Sequence, residues 1–490
     1  MSQPHVLLIT TDHWPSTLLG IAGHPTVQTP TLDQLARNGV RYTNAYSECP
    51  VCIPARRTLM TGVTPRTHGD RVFKVTEPMP VLPTLAQTFR DAGYQAYAAG
   101  KLHVFPQRNR IGFDDVILAE EGRPVLGAID DYDLWLTEQG YPGESYGHGM
   151  SNNDYGHRPW HLPEATHVTN WTTRALCRMI RRRDPTRPGF WYLSYCHPHP
   201  PLVPLQAYLD LYRDYTPPDP VLGEWAADAL PYALSAVRNS WGPFSAAQQR
   251  AIRRAFYALC THIDHQLRLV IGTLREEQIL DNTVILFTAD HGDMLGDHGL
   301  WAKRLFYRPS ANVPMILVGA AGDARVGHHR VDDRLVGWQD VMPTLLELAG
   351  IAVPPTVEGL SMLGDARRDL LYGECGEDHM ATRMVYDGQH KLIYYPVGNV
   401  VQLFDLAADP DETRNLAGRD DIAAVEERLT QRLIAELYGG DLAWVQDGKL
   451  VGLPDRPFAP RPDRGLSGQR GIHWPPPPLE LSGKPVGAPG

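Results

Sequence analysis

Two continuous apolar runs, HVLLITT at residues 5–11 and NTVILFTAD at 282–290, restrict the fold more than any other feature of the chain. Neither alternates with period two, as a strand with one wet face would, so each is expected to be buried on both faces. Helical patterns separate such runs. Residues 31–38 form a short helix ended by Gly39, and 83–92 form another closed by Gly93 ahead of the strand YQAYAAG. A helix at 167–182 leads to the aromatic strand GFWYLSYC at 189–196. The longest pattern, 245–275, carries Ile252, Phe256, Leu259, Ile263, Leu267 and Val270 on one stripe and delivers the chain to the run at 282. Strands alternating with helices in this way define an α/β chain with a mainly parallel central sheet flanked by helices.

Beyond Gly364 the pattern changes. MVYDGQHKLIYYP at 384–396 places an Asp-Gly turn signal between two strand-like runs, VVQLFDL at 400–406 adds a third, and a helix follows at 421–438. These predict a smaller C-terminal antiparallel sheet covered by a helix. The expected division is a large domain over 1–365, a small α+β subdomain over 366–440 and a Pro/Gly-rich arm over 441–490. The arm reads either as a disordered end or as an extended segment pinned by Ile472 and Trp474 to a neighbouring subunit, which would make a homodimer or homotetramer.

Charge excludes one large class of partner. Forty-six Lys and Arg against 56 Asp and Glu leave a formal net charge of −10, the wrong sign for a duplex-binding surface, so no nucleic-acid partner is expected. No apolar run reaches membrane-spanning length, and the first residues enter a strand without a charged leader, so no membrane partner and a cytoplasmic location are expected. Six cysteines in 490 residues are too few for a disulfide framework and fit a reducing compartment. Cys177, Cys196, Cys260 and Cys375 read as structural thiols, whereas Cys49 and Cys52 stand apart.

Both buried runs end in the same dipeptide, Asp12-His13 and Asp290-His291. Ligands collect outside the carboxyl ends of the strands of an open parallel sheet, so the two pairs can meet there, and carboxylate with imidazole suits a divalent cation. Alone, each pair could equally cap a strand. Gly292 allows a tight turn beside a bound group. CPVCIPARRTLMTG at 49–62 carries Cys49 and Cys52 at C-x-x-C spacing, which admits a redox dithiol or half of a zinc site, although no second such pair accompanies it. It also carries C-x-P-x-R in Cys52, Pro54 and Arg56, followed by Thr61 and Gly62.

That segment resembles the signature of the formylglycine-dependent sulfatases of the alkaline phosphatase superfamily. Nearly the whole chain shares the resemblance. LLITTDHW is similar to the family's first metal strand, and ILFTADHGDMLGDHGLWAKRLFYRPSANVPMILVG, with Lys303, to its second. GKLH at 100–103 is similar to G-K-x-H, and HPHPP at 197–201 to P-H-x-P, with the matches spanning 5–417. Choline-sulfatase-like, arylsulfatase-like and phosphonate monoester hydrolase-like bacterial members are nearest in motif. His13 departs from the usual acid or amide, and Ala55 replaces a frequent serine. GKLH argues against the phosphonate monoester hydrolases, which as a rule lack that Lys and His.

The resemblance implies that residues 1–365 are a catalytic domain and that Cys52 is oxidised to formylglycine by a formylglycine-generating enzyme. One divalent ion, Ca²⁺ or Mn²⁺ with Zn²⁺ possible, would be held by Asp12, His13, position 52, Asp290 and His291. Arg56 would fix the aldehyde hydrate. Lys101, His199 and Lys303 would surround the sulfate, with His199 or Lys303 protonating the leaving alcohol. His103 would take the proton of the second hydroxyl so that sulfate is expelled. The expected activity is hydrolysis of a small sulfate monoester. Cleavage of phosphonate monoesters or phosphodiesters at the same site is the alternative, and a non-catalytic binding protein the lesser one. Loops at 104–165 and 200–245 are expected to shape the leaving-group pocket. His68, Asp297 and His298 read as turn and loop stabilisers, and Trp14, Trp301 and Phe306 either line that pocket or pack.

Overall fold

The computed structural model describes residues 3–121, 129–227 and 229–460. Among them, β1 (His5–Thr11), β2 (Val40–Tyr46), β3 (Gln95–Gly100), β4 (Asp115–Leu118), β5 (Gly189–Ser194), β6 (Thr283–Ala289), β7 (Met315–Val318) and β8 (Arg330–Gly337) form one sheet. Its order is β4-β3-β5-β1-β6-β7-β2-β8. Neighbours run parallel except β7, which is antiparallel to β6 and β2. Every residue of β5 and β6 is buried, as is β1 from Val6 onward, so both faces of the sheet centre are covered. That matches the absence of alternation in the two apolar runs.

The helix Ala246–Glu276 starts at a capping box between Ser245 and Gln248 and buries its whole predicted stripe. It packs against Val168–Arg181, Gln206–Leu211 and Pro30–Arg37. Its Asp264 accepts the amides of Thr31 and Leu32 at 3.0 and 2.8 Å, satisfying orphan donors at the start of Pro30–Arg37 from a distant helix. A second group joins Cys52–Thr61 to Leu85–Asp91 and Val341–Leu348. β3 is touched by both groups.

A second, antiparallel sheet holds β9 (Leu371–Cys375), β10 (Thr382–Tyr386), β11 (His390–Tyr395) and β12 (Val400–Asp405) in the order β12-β11-β10-β9. The predicted Asp387-Gly388 turn joins β10 to β11, with Gly388 at φ +97°. Strand β9 was not foreseen, being five residues broken by Gly373. One face of this sheet packs Leu392 and Leu403 against Leu429 and Leu433 of the helix Ala423–Glu436. The other sends Met384, Ile393 and Phe404 into a cluster with Phe306 and Tyr307 of the large unit.

Residues 441–453, read from the sequence as the start of an extended arm, are folded in. Asp441 is buried and accepts from Arg71 and Arg383, both at 2.8 Å, and Trp444 is buried beside it. A short ladder pairs Val445–Gln446 with Lys449–Leu450, and Leu453 bridges to Val397. The sequence lacked periodicity here because a buried ion pair and short turns, not an amphipathic element, hold the segment. Ile472 and Trp474 lie outside the described residues. No described helix is long and apolar enough to cross a membrane.

Candidate active site

Sheet register brings three site residues level. Thr11 faces Ala289, and Ser194 faces both Thr10 and Gly100, so Asp12, Lys101 and Asp290 leave the sheet at one edge. Gly100, at φ +107°, is required there, because a Cβ would collide with the Ser194 carbonyl oxygen. Gly292 has a related reason: a Cβ would strike the Pro309 carbonyl as residues 308–311 pass close by. Cys52 is the first residue of the helix Cys52–Thr61, and Arg56 follows one turn later on the same face. The positive end of the helix dipole therefore lies at position 52.

The Cys52 sulfur meets groups from three segments. It lies 3.3 Å from His291 Nε2 and 3.7 Å from Asp12 Oδ1, and it accepts from Lys303 Nζ at 2.8 Å. Arg56 donates through Nε to Asp290 at 3.2 Å, and through Nη1 to the Lys101 carbonyl, Tyr192 OH and Ser194 Oγ at 3.0, 3.1 and 2.7 Å. Lys101 Nζ bridges Asp12 at 2.5 Å and Glu121 at 2.8 Å. His199 Nδ1 lies 3.6 Å from Glu121, and its ring is edge-on to His13 at 4.5 Å. His103 is buried in the loop of Lys101, with its amide held by Glu120 at 2.8 Å and its ring edge-on to Phe73 at 5.8 Å.

Electrostatics polarise the cluster. Burial works to raise the Asp12 carboxyl, but Lys101 and Lys303, with His199 and His291, outweigh it and hold it well below the usual carboxylate range. Burial, reinforced by Lys303, pushes His13 down to about 4. His199 and His291 are also lowered, burial being the main cause. The imidazoles are thus neutral bases at pH 7. Burial and the Asp12 charge push the Cys52 thiol up to about 11, so the sulfur as such is a poor nucleophile.

The donor set fits a divalent cation. Donor atoms of Asp12, Cys52, Asp290 and His291 lie within 4.8 Å of one another and all four residues are buried, while Asp12, His13 and His199 form an overlapping group. His13 Nε2 and Arg56 Nη2 are buried with no hydrogen-bond partner. Cys49 is absent from the four-donor group and lies 3.6 Å from the Arg71 carbonyl, so it and Cys52 serve different neighbours, against the dithiol and zinc readings.

His68 accepts the Asp70 amide at 3.2 Å, His298 that of Gly223 at 3.0 Å and Asp297 that of Val221 at 3.1 Å, the expected structural roles. Trp14, Trp301 and Phe306 are buried and pack. Glu121, Asp293, Tyr155, Tyr192 and Ser194 were missed. Asp293 stood in view in the A-D-H-G-D run, whereas Tyr192 and Ser194 looked like ordinary members of an aromatic strand. A narrow cleft opens beside His199, lined by Glu121, Tyr132, Tyr146, His148 and Trp160 from the first predicted pocket loop and by Val203 from the second.

Paired carboxylates and imidazoles at the carboxyl ends of a mainly parallel sheet, facing a side chain on a helix N-terminus, define a hydrolase of the alkaline phosphatase superfamily. The family model described as Sulfatase matches residues 4–351, and that described as N-sulphoglucosamine sulphohydrolase, C-terminal, matches 296–437. The chain therefore belongs to the sulfatase family and is a hydrolase acting on sulfate esters. It is 32% identical to the arylsulfatase of Clostridium perfringens, covering 92% of this chain and 97% of that protein. It is 31% identical to the choline-sulfatase of Rhizobium meliloti, covering 85% and 82%. The phosphonate monoester hydrolase of Agrobacterium radiobacter superposes with a TM-score of 0.74 at 25% identity, over 93% of this chain and all of that one.

Proposed function

We propose that the protein hydrolyses a sulfate monoester at this cluster, with Cys52 converted to formylglycine by a formylglycine-generating enzyme. Asp12, His13, Asp290, His291 and the side chain at position 52 would hold one divalent cation. The observation that carries the reading is the position of the Cys52 sulfur, in reach of candidate ligands and of the Lys303 ammonium together. A thiol raised to about 11 is a poor base and nucleophile there, whereas an aldehyde hydrate offers one hydroxyl to attack sulfur and a second whose deprotonation re-forms the C=O bond and expels sulfate with the first oxygen. The cation would supply Lewis acidity and lower the hydroxyl pKa.

The chain's own residues supply the rest. Arg56, tied to Asp290, Tyr192 and Ser194, orients position 52 with a fork that lysine lacks. Lys101 and Lys303 take the sulfate oxygens, neutralising charge in the water-poor site. Lys303, or His199 at the mouth of the cleft once a bound sulfate's negative charge favours its protonated form, gives the proton that the leaving oxygen needs, and His103 receives the one released as sulfate departs. Imidazole ligands favour a borderline ion such as Mn²⁺ or Zn²⁺, with Ca²⁺ the hard alternative.

Fold likeness to a phosphonate monoester hydrolase supports a second activity on phosphonate monoesters or phosphodiesters, whose charge and tetrahedral shape are close to those of a sulfate ester. The test is hydrolysis of an aryl sulfate and an aryl phosphate diester by protein produced with and without a formylglycine-generating enzyme, its state at position 52 read by intact mass. Sulfate hydrolysis should rise with the aldehyde fraction and vanish in Cys52→Ala. Equal activity at all aldehyde fractions would overturn the nucleophile assignment.

A further inference from the structure

We infer that Asp293 is a positioning residue of the cation site: its carboxylate fixes the His13 imidazole as the tautomer protonated on Nδ1, turning the Nε2 lone pair into the cradle. The inference rests on the cation reading above and extends it to a residue that coordinates nothing itself.

Asp293 is buried and its acceptor positions are engaged from four directions. Oδ2 takes His13 Nδ1 at 2.7 Å and the Tyr155 hydroxyl, while Oδ1 takes the amides of Leu295 and Ala302 at 2.9 and 3.1 Å. An ionised carboxylate only accepts, so the proton of the His13–Asp293 bond belongs to Nδ1 and Nε2 carries a lone pair. That Nε2 is buried without a hydrogen-bond partner and lies 3.8 Å from Asp12 Oδ1. His291 shares the Nδ1 arrangement: its Nδ1 meets the Gly292 carbonyl at 3.0 Å, and its Nε2 lies 3.5 Å from the same Asp12 oxygen and 3.3 Å from the Cys52 sulfur. Lone pairs aimed at one carboxylate oxygen repel unless a cation stands between them. The strained backbone of His13, at φ +69°, is where the chain departs from ordinary geometry to present this ring. Carboxylate–histidine pairs of this kind orient metal-bound imidazoles and raise their basicity.

Asp293→Asn is the informative change. Its amide oxygen can serve the Leu295 and Ala302 amides, leaving its NH₂ to donate to His13 Nδ1 and forcing the proton onto Nε2, which then cannot ligate. Mn²⁺ alone is the probe, with its free concentration read by electron paramagnetic resonance and nitrogen couplings of the bound ion by electron spin-echo modulation. Wild type should show two imidazole nitrogens. Asp293→Asn should show one and bind about 10–100-fold more weakly, the range for loss of an outer-shell partner. His13→Ala should match it, and the double variant should lose nothing further. In ¹⁵N-histidine spectra of the metal-free wild type, the His13 resonances, assigned by their loss in His13→Ala, should be those of the Nδ1-protonated tautomer, a readout that does not depend on the Asn variant folding. An Nε2-protonated His13, or an Asp293→Asn protein with wild-type affinity and both nitrogens, would overturn the inference. A wild type that binds no Mn²⁺, Zn²⁺ or Ca²⁺ would overturn the cation reading itself.

Discussion

Lys303 Nζ lies 2.8 Å from Cys52 Sγ, although 251 residues separate them in the chain. The contact joins the loop after β6 to the first residue of a helix that follows β2, and it places an ammonium against the side chain proposed as the nucleophile's source. Lys303 also helps depress Asp12, His13, His199 and His291, so one charge conditions most of the cluster. Lys303→Ala should lower kcat about 10²–10³-fold, as loss of one donor to a developing charge does elsewhere. Lys303→Arg should restore little, since a planar fork replaces a compact charge. Steady-state kinetics on an aryl sulfate with aldehyde-bearing protein separates these cases.

Arg56→Lys should impair both folding and turnover. The guanidinium spans Asp290, Ser194, Tyr192 and the Lys101 carbonyl, and a single ammonium reaches one or two of them. Each buried acceptor left without its donor costs about 1–3 kcal/mol. Urea unfolding followed by tryptophan fluorescence should show that loss, and a midpoint equal to wild type would contradict the network.

Dialysis against EDTA should abolish sulfate hydrolysis, and Mn²⁺ should return it. The chain should stay folded, because Asp12 and Asp290 keep Lys101 and Arg56 as partners. Added ion at about 100 times its Kd should stabilise the fold by about 2.7 kcal/mol. Thermal unfolding with and without ion reads this directly, and full activity after removal would sink the cation reading.

His262 is buried, meets Asn170 Oδ1 at 2.6 Å and is pushed down to about 3, chiefly by burial. In the unfolded chain it protonates below about 6.5, so the unfolded state holds more protons as pH falls through that value and stability is lost. Glu48, raised to about 7 mainly by burial, acts in the opposite sense, which makes a difference measurement necessary. Wild type should lose about 2 kcal/mol relative to His262→Gln between pH 6.5 and 5. Parallel urea curves at the two pH values would show the effect, and a pH-independent difference would refute it.

Asp441→Asn should destabilise without touching chemistry. Arg71 and Arg383 both pair with Asp441, and losing its charge leaves two guanidiniums under-compensated in the junction between the sheets. A loss of about 3–5 kcal/mol is expected, with kcat per folded molecule unchanged. A fall in kcat at equal folded fraction would mean that the small sheet shapes the site.

Much of this protein was legible in its sequence. The apolar runs of β1, β5 and β6, the stripe of Ala246–Glu276 and the Asp-Gly hairpin each report a local period or turn, and local periods survive in one dimension. Asp12, Cys52, Arg56, Asp290 and His291 were visible because strand ends and a short motif carry them. Tertiary structure alone decided the rest. Register made Asp12, Lys101 and Asp290 level; the loop after β6 set Lys303 against Cys52; and the fold closed Asp293 and Tyr155 around His13. Residues such as Tyr192, Ser194 and Asp293 act through hydrogen bonds between segments more than 100 residues apart, and no spacing along the chain encodes such a bond, because its geometry exists only after the sheet has formed.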